Sequence, residues 1–239
     1  MRFSFIFITD GTQDARLLEG IKSIEFQNIP SSDHEIIVVG NTRIQELRSQ
    51  IRAIPFDESQ KPAWITRKKN IGIHEAQFEN LVIMHDYLAL GNEWYEGWLK
   101  FGNDFDIATN LIFTMEGKRH SDWCLNPYDL WEILPQFKDN YDVGLPYEVT
   151  NLSRFMYISG AYMVIKKHIA LQFPQLETLV WGQGEDCEWA RQVRQFCQFK
   201  LNTNSSCTLT KPNKWAVQNA SQELIDHLQR LNTWIEKYN

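Results

Sequence analysis

The chain has 239 residues, 43% hydrophobic and 13% aromatic, which is ample for a full globular core and unlike the composition of a disordered segment. With 24 basic against 30 acidic residues its formal charge is -6, which argues against a general electrostatic affinity for nucleic acid and requires any bound phosphate to be met locally. Cys124, Cys187, Cys197 and Cys207 form no CxxC pair, no histidine stands at ligand spacing from them, and no run approaches the ~20 apolar residues of a membrane span; these features point to reduced thiols in a cytoplasmic protein.

The run RFSFIFIT, ending at Asp10-Gly11-Thr12, predicts a buried strand that runs into a loop. A helix follows. Leu17, Leu18, Ile21, Ile24 and Phe26 recur at helical spacing until Asn28-Ile29-Pro30 stops them, and EIIVVGN then repeats the strand pattern. Strand, helix, strand with continuous apolar runs is the mark of a parallel sheet covered on both faces. Beyond the turn-rich link PFDESQKPAW, the segment ITRKKNIGIHEAQFENL reads as a helix and LVIMHDY as a strand. GNEWYEGWLKFG predicts a Trp-rich helix and DIATNLIFTM a strand, whereas residues 116–154 show little periodicity, as functional or mobile stretches do. MYISGAYMVI reads as one strand, and WGQGEDCEWARQVR opens a helix behind two glycines. The last segment places Leu224, Leu228, Leu231 and Ile235 on one helical face.

The adjacent carboxylates Glu185 and Asp186 admit a local reading, since acidic side chains at a first helical turn meet unpaired amides and the positive end of the dipole. In doubly wound sheets, however, ligands bind across the carboxyl ends of the strands. Thr9-Asp10, Gly40-Asn41 and His85-Asp86-Tyr87 end the predicted strands and become candidates on that ground.

Taken in order over residues 3–200, KSIEFQNIP, EIIVVGN, RKKNIGI, VIMHDY, ISGAYMVIKK and WGQGEDCEW resemble a glycosyltransferase of the GT-A fold. The first half is similar to family 2 enzymes, and WGQGED to a galactosyltransferase-like WGGED pattern. The resemblance implies an α/β fold, a mostly parallel mixed sheet flanked by helices, in a single domain over residues 1–239. Residues 1–115 would form its nucleotide-sugar-binding half, residues 116–210 its acceptor-binding and catalytic half, and residues 221–239 a C-terminal helix.

It further implies that Thr9, Asp10 and Asn41 hold the nucleotide, with Asn41 standing where the family has paired aspartates. Lys69-Asn70 would meet the pyrophosphate at a helix start. His85-Asp86-Tyr87 takes the place of the metal-binding DxD motif with one aspartate only, so Asp86 and His85 become the metal candidates for Mn2+ or Mg2+, with the diphosphate supplying further ligands. Lys211 or Lys214 would replace part of the cation's charge. Asp186 would be the general base of an inverting transfer, with Glu185 orienting the acceptor or the helix start, and Gly182 and Gly184 would let the loop close over the donor. Trp181 would stack on a sugar face. Arg119, Asp122 and Trp123, in EGKRHSDWCLNPYDLW, lie where the family recognises its acceptor.

The expectation is therefore a hexosyltransferase of polysaccharide biosynthesis, moving a sugar from a nucleotide sugar, most naturally a UDP-sugar, to a glycan or glycolipid hydroxyl. The leucine stripe offers a docking face for peripheral membrane association or a second subunit, although such stripes ordinarily pack on the protein's own core. Two alternatives stand beside it. One is a non-catalytic nucleotide-sugar or glycan-binding module; the other, a nucleotidyltransferase, is disfavoured because TDGTQDAR is acidic where those enzymes carry a basic, glycine-rich loop.

Overall fold

FSFIFI is buried at every position and forms strand β1 (Phe3–Ile8), which pairs in parallel with β2 (His34–Val39) on one side and β4 (Asn80–His85) on the other. The computed structural model describes residues 1–43, 51–135, 142–213 and 217–238. Beyond β2 lies β3 (Arg52–Ile54). On the far side of β4 come β10 (Tyr162–Lys166), β6 (Ile107–Phe113), β11 (Phe199–Leu209) and β5 (Leu88–Leu90), in the order β3-β2-β1-β4-β10-β6-β11-β5. The pairings β3–β2–β1–β4 and β6–β11 are parallel and the remaining three antiparallel, so the sheet is mixed.

Alternation along β1 explains how both faces are covered. Phe3, Phe5 and Phe7 point to one side, where they join Leu17 and Ile21 of helix α1 (Asp14–Glu25) and Trp94 and Trp98 of α3 (Trp94–Phe101). Ile6 and Ile8 point to the other, against Ile73 of α2 (Ile65–Glu75) and Trp189 and Ala190 of α6 (Glu185–Val193). Each such side chain contributes about 1.5–3 kcal/mol when fully buried.

Residues 116–154, expected to be irregular, hold short elements: β7 (Cys124–Leu125), α4 (Pro127–Ile133) and β8 (Val143–Gly144). Asn126 caps α4 by accepting the Tyr128 amide at 3.1 Å, and Pro127 stands in its first turn, where no amide is missed. β7 and β8 join β9 (Met156–Tyr157) and β12 (Gln218–Asn219) in a small second sheet. MYISGAYMVI is thus two strands, β9 and β10, divided by a loop at residues 158–161. After β10 comes α5 (Lys167–Gln172), and the chain closes with α7 (Gln222–Tyr238). Leu224 and Leu228 of α7 are buried, and Leu231 and Ile235 pack against the same core, so the stripe is mostly used internally. No described helix is long and apolar enough to cross a membrane.

Strand directions place the site. β1, β2, β4, β6 and β11 end at one edge, and β10, running the opposite way from β4, begins there. The loop before β10 is held to that edge by the His85 amide, which donates to Ala161 O at 3.0 Å; the segment after β11 is held by the Thr210 amide, which donates to Tyr87 O at 2.8 Å.

Candidate active site

At this edge a cleft of about 270 Å³ is lined by Thr9, Asp10, His85, Asp86, Trp181 and Lys211, among others. The Thr9 hydroxyl donates to Asp86 Oδ2 at 2.7 Å and accepts from the Gly11 amide at 3.0 Å, which fixes the two strand ends against each other. Burial raises the Asp86 carboxyl above its usual range and nearby Asp10 adds to this, while the Thr9 hydroxyl and the charges of Lys211 and Lys68 oppose it. Asp10, although partly buried, is held below the usual range by the hydroxyl and amide of Thr12. His85 is sealed, its Nε2 has no hydrogen-bond partner, and burial together with Lys69, Lys211 and Lys68 pushes its pKa well down, so the ring is neutral.

The carboxylate pair enters from α6. Gly184, the N-cap of this helix, adopts φ +68, and a side chain on it would collide with Tyr128 Oη at 1.9 Å, so glycine is needed there for packing as well as backbone shape. Asp186, half-buried, accepts the Cys187 amide at 2.9 Å on Oδ1 and the Gly160 amide at 2.8 Å on Oδ2. The first bond is the local first-turn bond expected of any acid there; the second ties α6 to the loop before β10. A methyl group at Gly160 would lie 3.0 Å from Lys69 Nζ and 3.3 Å from Asp186 Oδ2, so these groups meet around a bare backbone position. Burial and the neighbouring Asp186 charge raise the Glu185 carboxyl, with Lys69 opposing. Burial, then Asp86, Asp186 and Glu185, push the Tyr87 phenol up; the loop that Asp186 holds at Gly160 is bonded at Ala161 O by the amide of His85, a residue of the cleft wall.

Lys69-Asn70 differs from expectation. α2 begins at Ile65, so the two residues sit in its second turn instead of capping it. Lys69 is 0% exposed and its Nζ has no hydrogen-bond partner among the described residues; burial lowers its pKa, and Glu185 and Asp186 hold it up. It therefore underlies the carboxylate pair and presents nothing to the cleft. Asn70 donates to Gln175 O at 2.9 Å and accepts the Gln175 amide at 2.8 Å. With Thr66, which donates to Leu179 O at 2.8 Å, it stitches the segment leading to Trp181 onto α2. Trp181 itself is 61% exposed at the lip of the cleft.

Asn41 lies in an adjoining groove of about 340 Å³ with Gly11 and Pro55. Arg119, Asp122 and Trp123 are engaged elsewhere. Asp122 accepts from Arg119 Nε at 2.6 Å, the Trp123 amide at 2.6 Å, the Ile112 amide at 3.3 Å and the Tyr147 hydroxyl at 2.8 Å. Trp123 is fully buried with its indole N–H on Val149 O, and Arg119 also holds Leu145 O and Trp123 O. These bonds satisfy backbone groups of Ile112, Trp123, Leu145 and Val149, and they leave Asp122 and Trp123 with no surface to offer a ligand.

A divalent cation of this class wants several hard oxygen ligands. Among the described residues no group of three or more His, Cys, Asp or Glu side chains could hold one. One oxygen of Asp86 is already on Thr9, and Lys211 and Lys68 act on the same carboxylate. Asp86 and His85 by themselves thus offer one carboxylate, already bonded to Thr9 and near the charges of Lys211 and Lys68, and one buried imidazole, too few hard ligands for a metal centre without the donor's own oxygens. Lys214 lies outside the described residues.

Two groups at the site carried no signal in sequence. Lys68, 2% exposed, donates to Thr9 O at 2.9 Å and to Glu58 at 2.6 Å, and only the fold reveals that this lysine of a TRKKN run turns inward. Gly160 stands in what read as mid-strand.

No protein-family profile matches the chain, and no curated protein does. Solved structures match over nearly its whole length. Staphylococcus aureus TarS 1-349 superposes with TM-score 0.57 at 13% identity, over 98% of this chain and 65% of that one. GalNAc-T7 with UDP, GalNAc and Mn2+ superposes with TM-score 0.62 at 13% identity, over 97% of this chain and 47% of that one. The chain thus spans roughly half to two thirds of these neighbours. The mixed sheet flanked by helices is the GT-A fold of glycosyltransferases.

Proposed function

We propose that the protein is an inverting glycosyltransferase that moves a hexose from a UDP-sugar to a hydroxyl of a glycan or glycolipid, with Asp186 as general base. The observation that carries this reading is the Asp186 carboxylate, gripped by the Gly160 and Cys187 amides, the former in the loop that is bonded to His85 at the carboxyl end of β4. Each oxygen accepts one amide, and a carboxylate offers about four lone-pair sites, so capacity remains for an acceptor hydroxyl. That hydroxyl would give its proton to Asp186 while its oxygen forms a bond to the anomeric carbon from the face opposite the donor phosphate. The bond from that carbon to the phosphate oxygen breaks, and UDP leaves with the electron pair. A positioned base contributes about 10²–10⁴-fold to such a step.

In this reading the donor's ribose and diphosphate enter the cleft lined by Thr9, Asp10, Asp86 and Lys211, the nucleobase enters the groove of Asn41, and Trp181 covers a sugar face. The UDP and Mn2+ bound to GalNAc-T7 support a nucleotide donor. A role in polysaccharide biosynthesis at the cytoplasmic face of a membrane belongs to the same proposal. Nucleotide release and product stereochemistry, measured with UDP-, GDP- and dTDP-sugars, test it. Turnover with inversion on a UDP-sugar is expected, and absence of binding and turnover with all of them rejects it.

The lone carboxylate of the HDY segment favours a second reading, a module that binds the nucleotide sugar without chemistry. It requires binding without turnover. A measurable transfer that Asp186→Ala abolishes rejects it.

A further inference from the structure

Four cations surround the cleft or its floor, and their surroundings differ. Lys68 is committed to Thr9 O and Glu58, and Lys69 is sealed beneath the carboxylate pair. Lys211 and Arg16 remain. Lys211 follows β11 and lays its ammonium 3.3 Å from the centroid of the Tyr87 ring, where a cation is attracted and the long side chain is held in one pose. Arg16, in α1, lines the same cleft. Neither side chain makes a hydrogen bond or close ion pair among the described residues, and Asp86 is near enough to Lys211 to act on its charge. Arg16 acts on Lys211 too, as a like charge. Two like charges that line one cleft without an ion-pair partner among the described residues lower their energy by taking an anion between them.

We propose that Arg16 and Lys211 form a diphosphate clamp that supplies, from the chain itself, the positive charge under the departing UDP. The inference rests on the glycosyltransferase reading of the cleft and assigns the site a charge source other than a divalent cation. As the anomeric C–O bond breaks, the leaving diphosphate gains negative charge, and charge placed in advance is what lowers that barrier. Lys211 is suited to this because Tyr87 fixes it, and Arg16 because its guanidinium can take two phosphate oxygens at once.

Calorimetry with UDP on the full chain, in EDTA and again with Mn2+, tests the clamp. Affinity is expected to change less than threefold between the two conditions. Lys211→Met should weaken UDP at least tenfold in both, Arg16→Met severalfold, and Lys211→Arg should recover most of the loss, while uridine binding and the melting temperature stay unchanged. UDP binding that needs Mn2+ and ignores Lys211→Met overturns the clamp and leaves the transferase reading standing. If the wild-type chain binds no UDP, the choice of UDP as donor nucleotide fails, and inorganic pyrophosphate in EDTA decides the clamp alone: Lys211-dependent binding supports it and no binding overturns it.

Discussion

Asp86 and Asp122 are both buried carboxylates, and each accepts a hydroxyl hydrogen bond, from Thr9 at 2.7 Å and from Tyr147 at 2.8 Å. They part company in what surrounds the rest of the group. Asp122 is further occupied by Arg119 and the amides of Ile112 and Trp123, all inside the protein. Asp86 opens on a cleft, with Lys211 near it and no further bond to its carboxylate among the described residues. A saturated buried acid holds a fold together; an acid with capacity left, at the common end of parallel strands, is available to a ligand system. Sequence position suggested a ligand role for both, and only the count of satisfied lone pairs separates them.

The largest effect expected from this contrast is on Asp122. Asp122→Ala leaves Arg119 without its carboxylate and strands two buried amides, and should cost about 3–5 kcal/mol of unfolding free energy in urea. A loss under about 1 kcal/mol would remove the distinction between the two acids.

A smaller effect is tied to pH. The His85 ring is held neutral by its buried, cation-rich surroundings, so its folded pKa lies below the unfolded value of ~6.5. Between those values the unfolded chain carries a proton that the folded one does not, and stability is therefore complete above ~6.5 and falls as pH drops, at up to about 1.4 kcal/mol per unit. Going from pH 7.5 to 5.5, wild type should lose about 1.4 kcal/mol more than His85→Asn. Equal losses would mean that the ring is already charged or solvated. The smallest effect belongs to Asp86→Asn, which can still accept from Thr9 and should cost at most about 1 kcal/mol. A loss as large as that of Asp122→Ala would make Asp86 a second structural acid.

The sheet's parallel half was legible because β1, β2 and β4 are unbroken apolar runs that end in polar residues, and the ends of such strands are where ligands bind. The helix behind WGQG and the inward leucines of α7 were legible by spacing and turn chemistry. β11 was not: its KLNTNSS core is polar, and Asn202 and Ser205 are buried only because they bond each other and the backbone of Gly97 and Trp94. β3, three residues long, gives no period to detect. The inward turn of Lys68 and Lys69 runs against every expectation for a basic run, because it depends on anions and carbonyls brought from Thr9, Glu58 and α6. Lys211 stood beside Lys214 as a candidate for part of the cation's charge on the resemblance alone, and only the fold sets it over the Tyr87 ring.

The central claim is that the carboxylate bridging α6 and the Gly160 loop is a base and more than a brace, and Asp186→Asn tests it most directly when transfer, UDP affinity and unfolding free energy are measured on one preparation. Asn can accept only one of the two amides that Asp186 accepts, so about 1–2 kcal/mol of stability should be lost whichever role is correct. The account predicts that UDP affinity stays within about threefold of wild type while transfer falls by about two orders of magnitude or more. Transfer that survives within a fewfold of wild type would contradict it and reduce Asp186 to a helix-start acid with one long reach.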